Sequence, residues 1–416
     1  MERDYTIGVD LRVLAGGSYG GIAQYLIGLL PELFKVDPNI KFKLFFSAYR
    51  RSLAHYDWLG AENVRLFQFN YPNRLLFAAS RFLNYPKLDY LIQGADVFFS
   101  PHFFSAPLSP QCQSVVTYHD LSFIRYPEFF SWRKNIWHRF EMNPKKQAQE
   151  ANKIIAVSQS TKDDLVNLLK IVPEKIEVIY SGVLMGKSEI QLLENSRARA
   201  TTERERGSGE PSRANPGSRV AGISDLSIKQ KYNLPENFFL YLGALEPRKN
   251  ILGILKAFSF LKSSSQIPKD SALVIAGPLG WLYTGILKFC KSSPYRESIH
   301  LIGPVEETDK ARLYSLAKVF VYPSFFEGFG FPPLEAMTAG VPVITSNISS
   351  LPEVVGGASL MVNPYNIKEI AEAMKSLFLD QNLRDFYIKK GFEQVKKFSW
   401  RKTAEQTLKV ITMAVD

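Results

Sequence analysis

The sequence predicts an α/β protein built from two doubly wound parallel sheets, and three observations support that prediction. Short apolar runs alternate with longer amphipathic stretches, an order typical of β–α–β units. The alternation occurs in both halves of the chain, and a polar segment without large apolar residues separates the halves. The length of 416 residues is enough for two or three domains.

The composition narrows the class of protein. Its contents of 46% hydrophobic and 22% charged residues are typical of globular proteins. No apolar run approaches the roughly 18 residues of a membrane span, and no secretory leader opens the chain, so we expect a cytoplasmic protein. The two cysteines, Cys112 and Cys290, form no metal-binding spacing. The net charge of +11 suits a phosphorylated substrate or an anionic membrane surface. Without a zinc-finger or RNA-binding signature, we expect no nucleic-acid partner.

The changes in composition divide the chain into four predicted parts. Residues 1–183 form the first unit and residues 226–397 form the second. Residues 184–225 form a linker. Its arginine-rich stretch, Asn195–Arg219, cannot bury enough apolar surface to offset its ordering entropy, so we expect disorder there. Residues 398–416 form an amphipathic C-terminal helix.

The first half begins as a strand, a glycine-rich loop and a helix, Ile22–Phe34. The loop lacks the full dinucleotide fingerprint and the Walker lysine, but its glycines could let backbone amides approach a diphosphate; a plain surface loop is the alternative. Pro72–Leu91 reads as one amphipathic helix, packed on the core or lying on a membrane. Further strands are predicted at Phe42–Ser47, Val64–Phe69, Val97–Ser100, Ser114–Tyr118, Lys153–Val157 and Ile176–Ile179.

One strand of the first half ends at a histidine. Ser114–Tyr118 is followed directly by His119 and Asp120. Ligands of open α/β sheets bind at the carboxyl ends of strands, so we expect His119 to meet a substrate and Asp120 to orient it. A histidine that only satisfies backbone hydrogen bonds is the alternative.

The second half contains the most distinctive stretch, Phe325–Met337, which reads FFEGFGFPPLEAM. Its glycines allow close approach of a ligand to the backbone, and the start of the following helix suits a phosphate. Glu327 in the loop and Glu335 in the first turn of the helix can accept hydrogen bonds from sugar hydroxyls. The stretch therefore fits a phosphate flanked by polyols, as in a nucleotide sugar. An ordinary loop with a capping glutamate is the alternative.

Two basic residues follow the first strand of the second half. Arg248 and Lys249 come after the apolar run Asn237–Gly243 and precede a helix, Ile251–Leu261. Both can neutralise a diphosphate, the arginine in a bidentate way. Other strands are predicted at Ser271–Ala276, Ile299–Ile302, Val319–Tyr322 and Val341–Thr345, with helices at Lys310–Leu316, Ile367–Leu379 and Leu383–Lys397.

Several motifs in this order resemble glycosyltransferase family four, especially its mannosyltransferase-like members. They read GGSYGGIAQYL and VVTYHDLSFIRYPEFFSW in the first half, then YLGALEPRKN, LVIAGPLGW, LIGPV and VYPSFFEGFGFPPLEAMTAGVPVITSNISSLPEVV. The resemblance implies the GT-B fold, in which two Rossmann-like domains face each other across a cleft. It makes residues 1–183 the acceptor side and residues 226–397 the donor-binding domain, with residues 398–416 crossing back to the first domain.

The resemblance also implies roles for single residues. Glu327 and Glu335 match the family's Glu-x7-Glu motif, the first near the donor sugar and the second bonding the ribose. Many members carry an arginine where this chain has Ala244, which leaves Arg248 with a larger share of the charge. The resemblance implies that Arg248 and Lys249 bind the diphosphate, and that Gly17 and Gly20 approach it from the first domain. Gly328, Phe329 and Gly330 would present backbone amides to the sugar and phosphate, and His119 would contact the donor sugar or position the acceptor. Ile302 to Val305 would lie along the base.

The function that these roles imply is a retaining, metal-independent hexosyltransferase without a cofactor. Its donor is expected to be GDP-mannose, and its acceptor a glycan or lipid-linked saccharide of polysaccharide or lipopolysaccharide biosynthesis at the cytoplasmic membrane face. The alternatives are a UDP- or dTDP-sugar donor, a nucleotide-sugar epimerase, and a non-catalytic nucleotide-sugar-binding protein. A Rossmann oxidoreductase is disfavoured because the GxGxxG fingerprint is missing.

Overall fold

The computed structural model describes residues 5–16, 20–50, 53, 56–104, 106–137, 142–183 and 225–415. Residues 184–224 of the predicted linker, with its arginine-rich stretch Asn195–Arg219, and Gly17 lie outside the described residues. The chain divides into two compact units. The first comprises Met1–Leu184, Phe326–Phe329 and Lys397–Asp416, and the second comprises Met185–Phe325 and Gly330–Lys396. The sequence did not predict that residues 326–329 belong to the first unit.

The first unit is built on a seven-stranded sheet in the order β3-β2-β1-β4-β5-β6-β7. Every neighbouring pair is parallel. Because helices cover such a sheet, its inner strands are almost continuously apolar. The strands are β1 (Thr6–Asp10), β2 (Lys41–Ser47), β3 (Val64–Phe69), β4 (Val97–Ser100), β5 (Gln113–Tyr118), β6 (Lys153–Ala156) and β7 (Ile176–Val178).

The helices of the first unit correct one expectation. Pro72–Leu91 is not one helix, because Asn84 adopts a left-handed φ of 50° and Pro86 cannot continue the ladder. Ser158 is the N-cap of the helix Gln159–Leu169, and its hydroxyl accepts from the amide of Thr161. The helices are α1 (Gly21–Val36), α2 (Asn73–Phe82), α3 (Leu88–Leu91), α4 (Ser122–Arg125), α5 (Trp132–Ile136), α6 (Pro144–Glu150) and α7 (Gln159–Leu169).

The second unit has a six-stranded sheet in the order β10-β9-β8-β11-β12-β13, again parallel throughout. The strand expected at Val341–Thr345 runs from Val343 to Ser346, and the last strand was not predicted, since its three residues are too few to form a pattern. The strands are β8 (Phe238–Leu242), β9 (Ala272–Ala276), β10 (Ile299–Gly303), β11 (Val319–Tyr322), β12 (Val343–Ser346) and β13 (Leu360–Val362).

Helices surround this second sheet and complete the doubly wound arrangement that the sequence predicts. They are α8 (Asp225–Lys231), α9 (Ile251–Ser263), α10 (Thr284–Ser292), α11 (Glu307–Leu316), α12 (Phe331–Thr338), α13 (Leu351–Val355), α14 (Ile367–Leu379) and α15 (Gln381–Val395).

The last helix, α16 (Trp400–Met413), belongs to the first unit and packs along α1. Its apolar face is buried through Trp400, Ala404, Leu408 and Ile411. Within the described ranges, no helix combines the length and the apolar character that a bilayer-spanning segment needs.

Candidate active site

The order of strands reverses in the second sheet between β8 and β11, and the loops that follow these two strands hold most of the predicted donor site. Such a reversal is where open α/β sheets bind ligands. The loops are tied together by the amide of Phe325, which donates to the carbonyl of Arg248 at 2.9 Å. The ammonium of Lys249 also donates to the Tyr322 hydroxyl at 2.8 Å. Residues more than seventy positions apart in the sequence thus form one surface.

The two cations of this surface differ in their surroundings. Arg248 donates to the buried carboxylate of Glu246 from its Nη2 at 2.9 Å and its Nε at 3.2 Å. Lys249 is buried, with its Nζ over the Tyr322 ring at 5.3 Å from the centroid. Glu246 therefore compensates Arg248 in part, and the three charged groups together carry one net positive charge. Sequence reasoning did not identify Glu246 or Tyr322.

Ala244 occupies the position where an arginine was expected from the resemblance. Its carbonyl accepts from the Tyr241 hydroxyl at 3.0 Å, which holds the loop in place. The neighbouring loop fits closely as well: a Cβ on Gly277, at φ 133°, would overlap the carbonyl oxygen of Gly243 and lie 2.6 Å from its carbon. The two loops therefore fit closely against each other, and Arg248 with Lys249 supplies the cations of this edge.

Glu335 lies in α12 and is buried among protein groups. It is the fifth residue of that helix, one position beyond the first turn where the sequence placed it. The Tyr314 hydroxyl of α11 donates to its Oε2 at 2.8 Å. Burial, and after it the charge of Glu335, holds the pKa of Tyr314 well above its usual range, so the phenol keeps the proton that it donates. Tyr314 thereby fixes one carboxylate oxygen, which the sequence did not indicate.

The start of α12 offers fewer amides than a normal helix. Gly330 is its N-cap with φ 102°, a conformation that glycine adopts at low cost. A helix leaves its first amides without intrahelical partners, but Pro332 and Pro333 have no N–H. Gly330 and Phe331 are therefore the residues before the two prolines that carry an N–H at this end of the helix.

The predicted base-binding stretch lies at the outer strand of the second sheet. Ile302 is in β10 and Val305 follows it, and both side chains are partly exposed. The amide of Gly277 donates to the carbonyl of Gly303 at 2.7 Å, which joins the loops after β9 and β10. This placement leaves the two apolar side chains accessible to a flat ligand.

His119 lies at the carboxyl end of β5 in the first unit and is partly buried. Its Nε2 is 2.8 Å from the Pro101 carbonyl, which can only accept, so Nε2 carries the proton. Burial lowers the pKa of His119 to about 4, with Pro101 and the Asp120 charge opposing that shift. The ring is therefore neutral at pH 7, and its Nδ1 is the acceptor. Asp120 Oδ1 accepts from the amide and the hydroxyl of Ser122. The orienting role expected of Asp120 remains a prediction.

The loop residues 326–329 pack within the first unit beside this histidine. A Cβ on Gly328 would overlap the His119 carbonyl oxygen and lie 2.7 Å from its carbon. The Thr161 hydroxyl is within hydrogen-bond distance of both the His119 carbonyl, at 3.2 Å, and the Gly328 carbonyl, at 3.4 Å. Glu327 and Phe329 are each 5% exposed. The close fit explains why this loop has a glycine at its centre.

The remaining predicted site residue in the described part of the first unit is Gly20. It is the exposed N-cap of α1 at φ 107°, and within the described part of the chain no atom beyond its sequence neighbours lies within 4 Å of the position that an added Cβ would take. The conformation demands glycine, while the space around it is open. Among the described residues, no group of three His, Cys, Asp or Glu side chains could hold a metal ion.

Comparison with known proteins gives the family. Residues 224–394 match the family described as "Glycosyl transferases group 1", and residues 19–184 match the one described as "Glycosyltransferase Family 4". Together the two matches span most of the chain.

Similar individual proteins support the same family and fold. The chain is 29% identical over 324 residues to an O-antigen chain mannosyltransferase B of Escherichia coli, covering 77% of this chain and 73% of that protein. It is 30% identical over 301 residues to a serotype-specific mannosyltransferase WbdA of the same species, covering 72% of this chain but 33% of that longer protein. Among solved structures, a sucrose-phosphate synthase from Thermosynechococcus elongatus has the same fold, with a TM-score of 0.73, 20% identity and 99% coverage of both chains.

These findings confirm the predicted family, the GT-B fold class and the enzyme class; the roles of single residues remain predictions. Two matched family regions in the expected order, and relatives that are mannosyltransferases, lead to one conclusion. The chain belongs to glycosyltransferase family four and is a group 1 glycosyltransferase.

Proposed function

We propose that this glycosyltransferase moves mannose, with retention, from GDP-mannose to a glycan or lipid-linked saccharide acceptor in polysaccharide biosynthesis. The observation that supports this most is the edge of the second sheet, where Lys249 and Arg248 lie on loops joined to the start of the Phe325–Met337 stretch. The mannosyltransferase names of the relatives favour this sugar.

The donor's two ends match different parts of that edge. A diphosphate needs positive charge, which Lys249 supplies as a buried cation and Arg248 supplies beside Glu246. A ribose needs an acceptor for its hydroxyls, and the carboxylate of Glu335, held by the Tyr314 hydroxyl, is such an acceptor. The partly exposed Ile302 and Val305 provide apolar contact for the base.

The first unit provides groups suited to the transferred sugar. The neutral His119 presents Nδ1 as an acceptor for a sugar hydroxyl, and the buried Glu327 adds a carboxylate on the adjoining loop. A neutral ring also avoids placing a second positive charge near an oxocarbenium-like sugar. Both groups bind and orient; neither is required as a nucleophile.

The reaction that fits these groups is attack on the face from which the phosphate leaves. The bond from the anomeric carbon to the diphosphate oxygen breaks, and a bond to the acceptor oxygen forms on the same face. The acceptor's proton passes to the departing phosphate oxygen, which carries the released electron pair. Lys249 and Arg248 stabilise that charge, an electrostatic role typically worth about 100- to 1000-fold in rate per group.

Contact with the cytoplasmic membrane face is a further part of the proposal. The end of α2 and the segment after it expose Phe82 at 82%, Leu83 at 72% and Tyr85 at 65%, next to the basic residues Arg81 and Lys87. Apolar side chains beside cations suit an anionic lipid surface, where each basic residue contributes about 1 kcal/mol. A lipid-linked acceptor would be presented at that surface.

Vesicle binding tests the membrane contact. Leu83→Glu should reduce co-sedimentation with vesicles containing phosphatidylglycerol at least fivefold, and Leu379→Glu, an equally simple change at a 52% exposed leucine of the second unit, should leave it unchanged. Equal binding by both variants and the unchanged protein would remove this part of the proposal.

Product analysis tests the transfer itself. The protein is incubated with GDP-[¹³C]mannose, EDTA and a panel of lipid-linked saccharides, and the anomeric configuration of the product is read by NMR. The proposal expects an α-mannoside in the presence of EDTA, with turnover reduced at least 100-fold in Arg248→Ala. Inverted product, dependence on a metal ion, or donor isomerised without an acceptor would each overturn it.

A further inference from the structure

A tryptophan of the C-terminal helix fills a hole made by two glycines in the first unit. A Cβ on Gly28 of α1 would overlap the Trp400 indole and lie 2.6 Å from its Cδ2. A Cβ on Gly182 would lie 2.6 Å from its Cγ and 2.8 Å from its Cα. Trp400 is 8% exposed. The indole therefore occupies a socket that any side chain at either glycine would close.

Tyr25 connects this socket to the predicted active-site histidine. Its ring meets Trp400 edge-on, with centroids 5.8 Å apart, and meets His119 edge-on at 4.9 Å and 82°. Such edge-to-face pairs are worth about 0.5–1.5 kcal/mol beyond the area that they bury. The Tyr25 side chain is fully buried, so it has little freedom to move away from the imidazole.

The ring of Tyr25, and not its hydroxyl, makes these contacts. The Tyr25 hydroxyl lies beside the hydroxyls of Thr117 and Thr407, which partly offset the effect of burial on its pKa, and it makes no hydrogen bond of good geometry within the described part of the chain. Burial raises the pKa of Tyr25 to about 12, so the phenol stays neutral. Removal of this hydroxyl should therefore cost little, whereas removal of the ring opens space beside His119.

We propose that Tyr25 is a positioning residue for His119, and that Trp400 holds Tyr25 in place from the C-terminal helix. The ring edge of Tyr25 and the Pro101 carbonyl restrain the imidazole from two directions. Without Tyr25 the His119 imidazole can rotate and water can enter beside it, so the hydrogen bond from Nε2 to the Pro101 carbonyl is no longer maintained. The expected effect of Tyr25 on catalysis rests on the proposed contact of His119 with the transferred sugar. The expected effect of Tyr25 on the tautomer and pKa of the imidazole does not.

The test compares Tyr25→Leu with the conservative Tyr25→Phe in the full-length protein. Two readouts are combined: kcat and KM for GDP-mannose, and the ¹⁵N signals of the histidine rings across a pH titration. The chain has only 5 histidines, and His119→Gln identifies the signals of His119. Tyr49→Leu, at a 53% exposed tyrosine of the same unit, is the matched control.

We expect Tyr25→Leu to lower kcat at least tenfold with KM for the donor changed less than twofold. The His119 ring should lose its single Nε2–H tautomer, and its pKa should rise from about 4 towards the ordinary 6.5. Tyr25→Phe should keep the kcat of the unchanged protein and the Nε2–H tautomer and low pKa of His119. Trp400→Phe, a milder change that serves if Tyr25→Leu does not fold, should move the His119 signals in the same direction.

The outcomes separate the two proposals. An unchanged His119 tautomer and pKa in Tyr25→Leu and in Trp400→Phe would overturn the positioning role. Full activity in His119→Gln would instead overturn the role of His119 in transfer, while a shifted imidazole in Tyr25→Leu would still support its positioning. If Tyr25→Phe behaves like Tyr25→Leu, the hydroxyl rather than the ring is responsible, and the inference is wrong.

Discussion

Replacement of Gly328 by alanine should disable the enzyme through a single methyl group. The residue lies at the centre of the loop 326–329, which packs in the first unit. The added Cβ would overlap the His119 carbonyl oxygen, lie 2.7 Å from its carbon and 3.0 Å from the Cβ of Asp120. These neighbours are backbone atoms and the first atom of a side chain, so rotation of a side chain cannot relieve the overlap.

The distances give the size of the effect. Ordinary van der Waals contact begins at 3.4 Å, so the carbonyl carbon alone must move by roughly 0.7 Å and the oxygen by on the order of 1 Å or more. Overpacking of this kind costs about 1–3 kcal/mol of unfolding free energy. A displacement of about 1 Å at a catalytic group can cost 100-fold in rate. Because the movement falls on His119 and Glu327 together, we expect at least that loss in kcat.

The assay is mannosyl transfer by the purified variant, with folding checked by its melting temperature. Gly285→Ala is the matched control, because no atom lies within 4 Å of the added methyl and the residue is in α10. It should keep full activity and a melting temperature at least as high as before. A folded Gly328→Ala protein that turns over within threefold of the unchanged enzyme would refute the reasoning.

Three further predictions follow from the same geometry. Tyr314→Phe removes a hydrogen bond to the charged Glu335, worth about 1.5–3 kcal/mol, so KM for the donor should rise at least tenfold with kcat little changed; an unchanged KM contradicts the role of Tyr314. Lys249→Met should lower kcat at least 100-fold, whereas Lys288→Met on α10 should not, and similar rates for the two would argue against Lys249 as the leaving-group cation. Folding lowers the pKa of His119 to about 4, so the unfolded chain binds more protons than the folded chain between pH 6.5 and 4, and the free energy of unfolding falls as the pH falls. His119→Asn should remove about 2 kcal/mol of that loss, after allowance for the partial exposure of the ring. An unchanged pH dependence of the melting temperature in this variant would contradict the lowered pKa.

Most strand positions could be predicted from the sequence, because parallel strands that are buried on both faces consist of continuous runs of apolar residues. Phe238–Leu242 and Ala272–Ala276 are examples, and each is followed directly by a glycine. His119 directly follows β5, and Arg248 and Lys249 lie in the loop after β8, on the carboxyl side of each strand. Such local signals are carried by neighbouring residues, so they can be recognised without a structure.

The rest depends on contacts between residues far apart in sequence. Nothing near Glu335 in the sequence indicates that Tyr314, twenty-one residues earlier, donates to its carboxylate. The break at Asn84 was missed because apolar periodicity continued through a residue that the fold holds at φ 50°. Likewise, the placement of residues 326–329 in the first unit follows from packing alone.

The central claim is that the second unit binds GDP-mannose through Lys249 and the Glu335–Tyr314 pair. Isothermal titration of the protein with GDP-mannose in EDTA tests it most directly, with UDP-glucose as the competing donor. We expect saturable one-to-one binding of GDP-mannose, weakened at least tenfold in Tyr314→Phe and in Lys249→Met. Absence of binding, preference for UDP-glucose, or variants that bind GDP-mannose as tightly as the unchanged protein would contradict the proposed donor site.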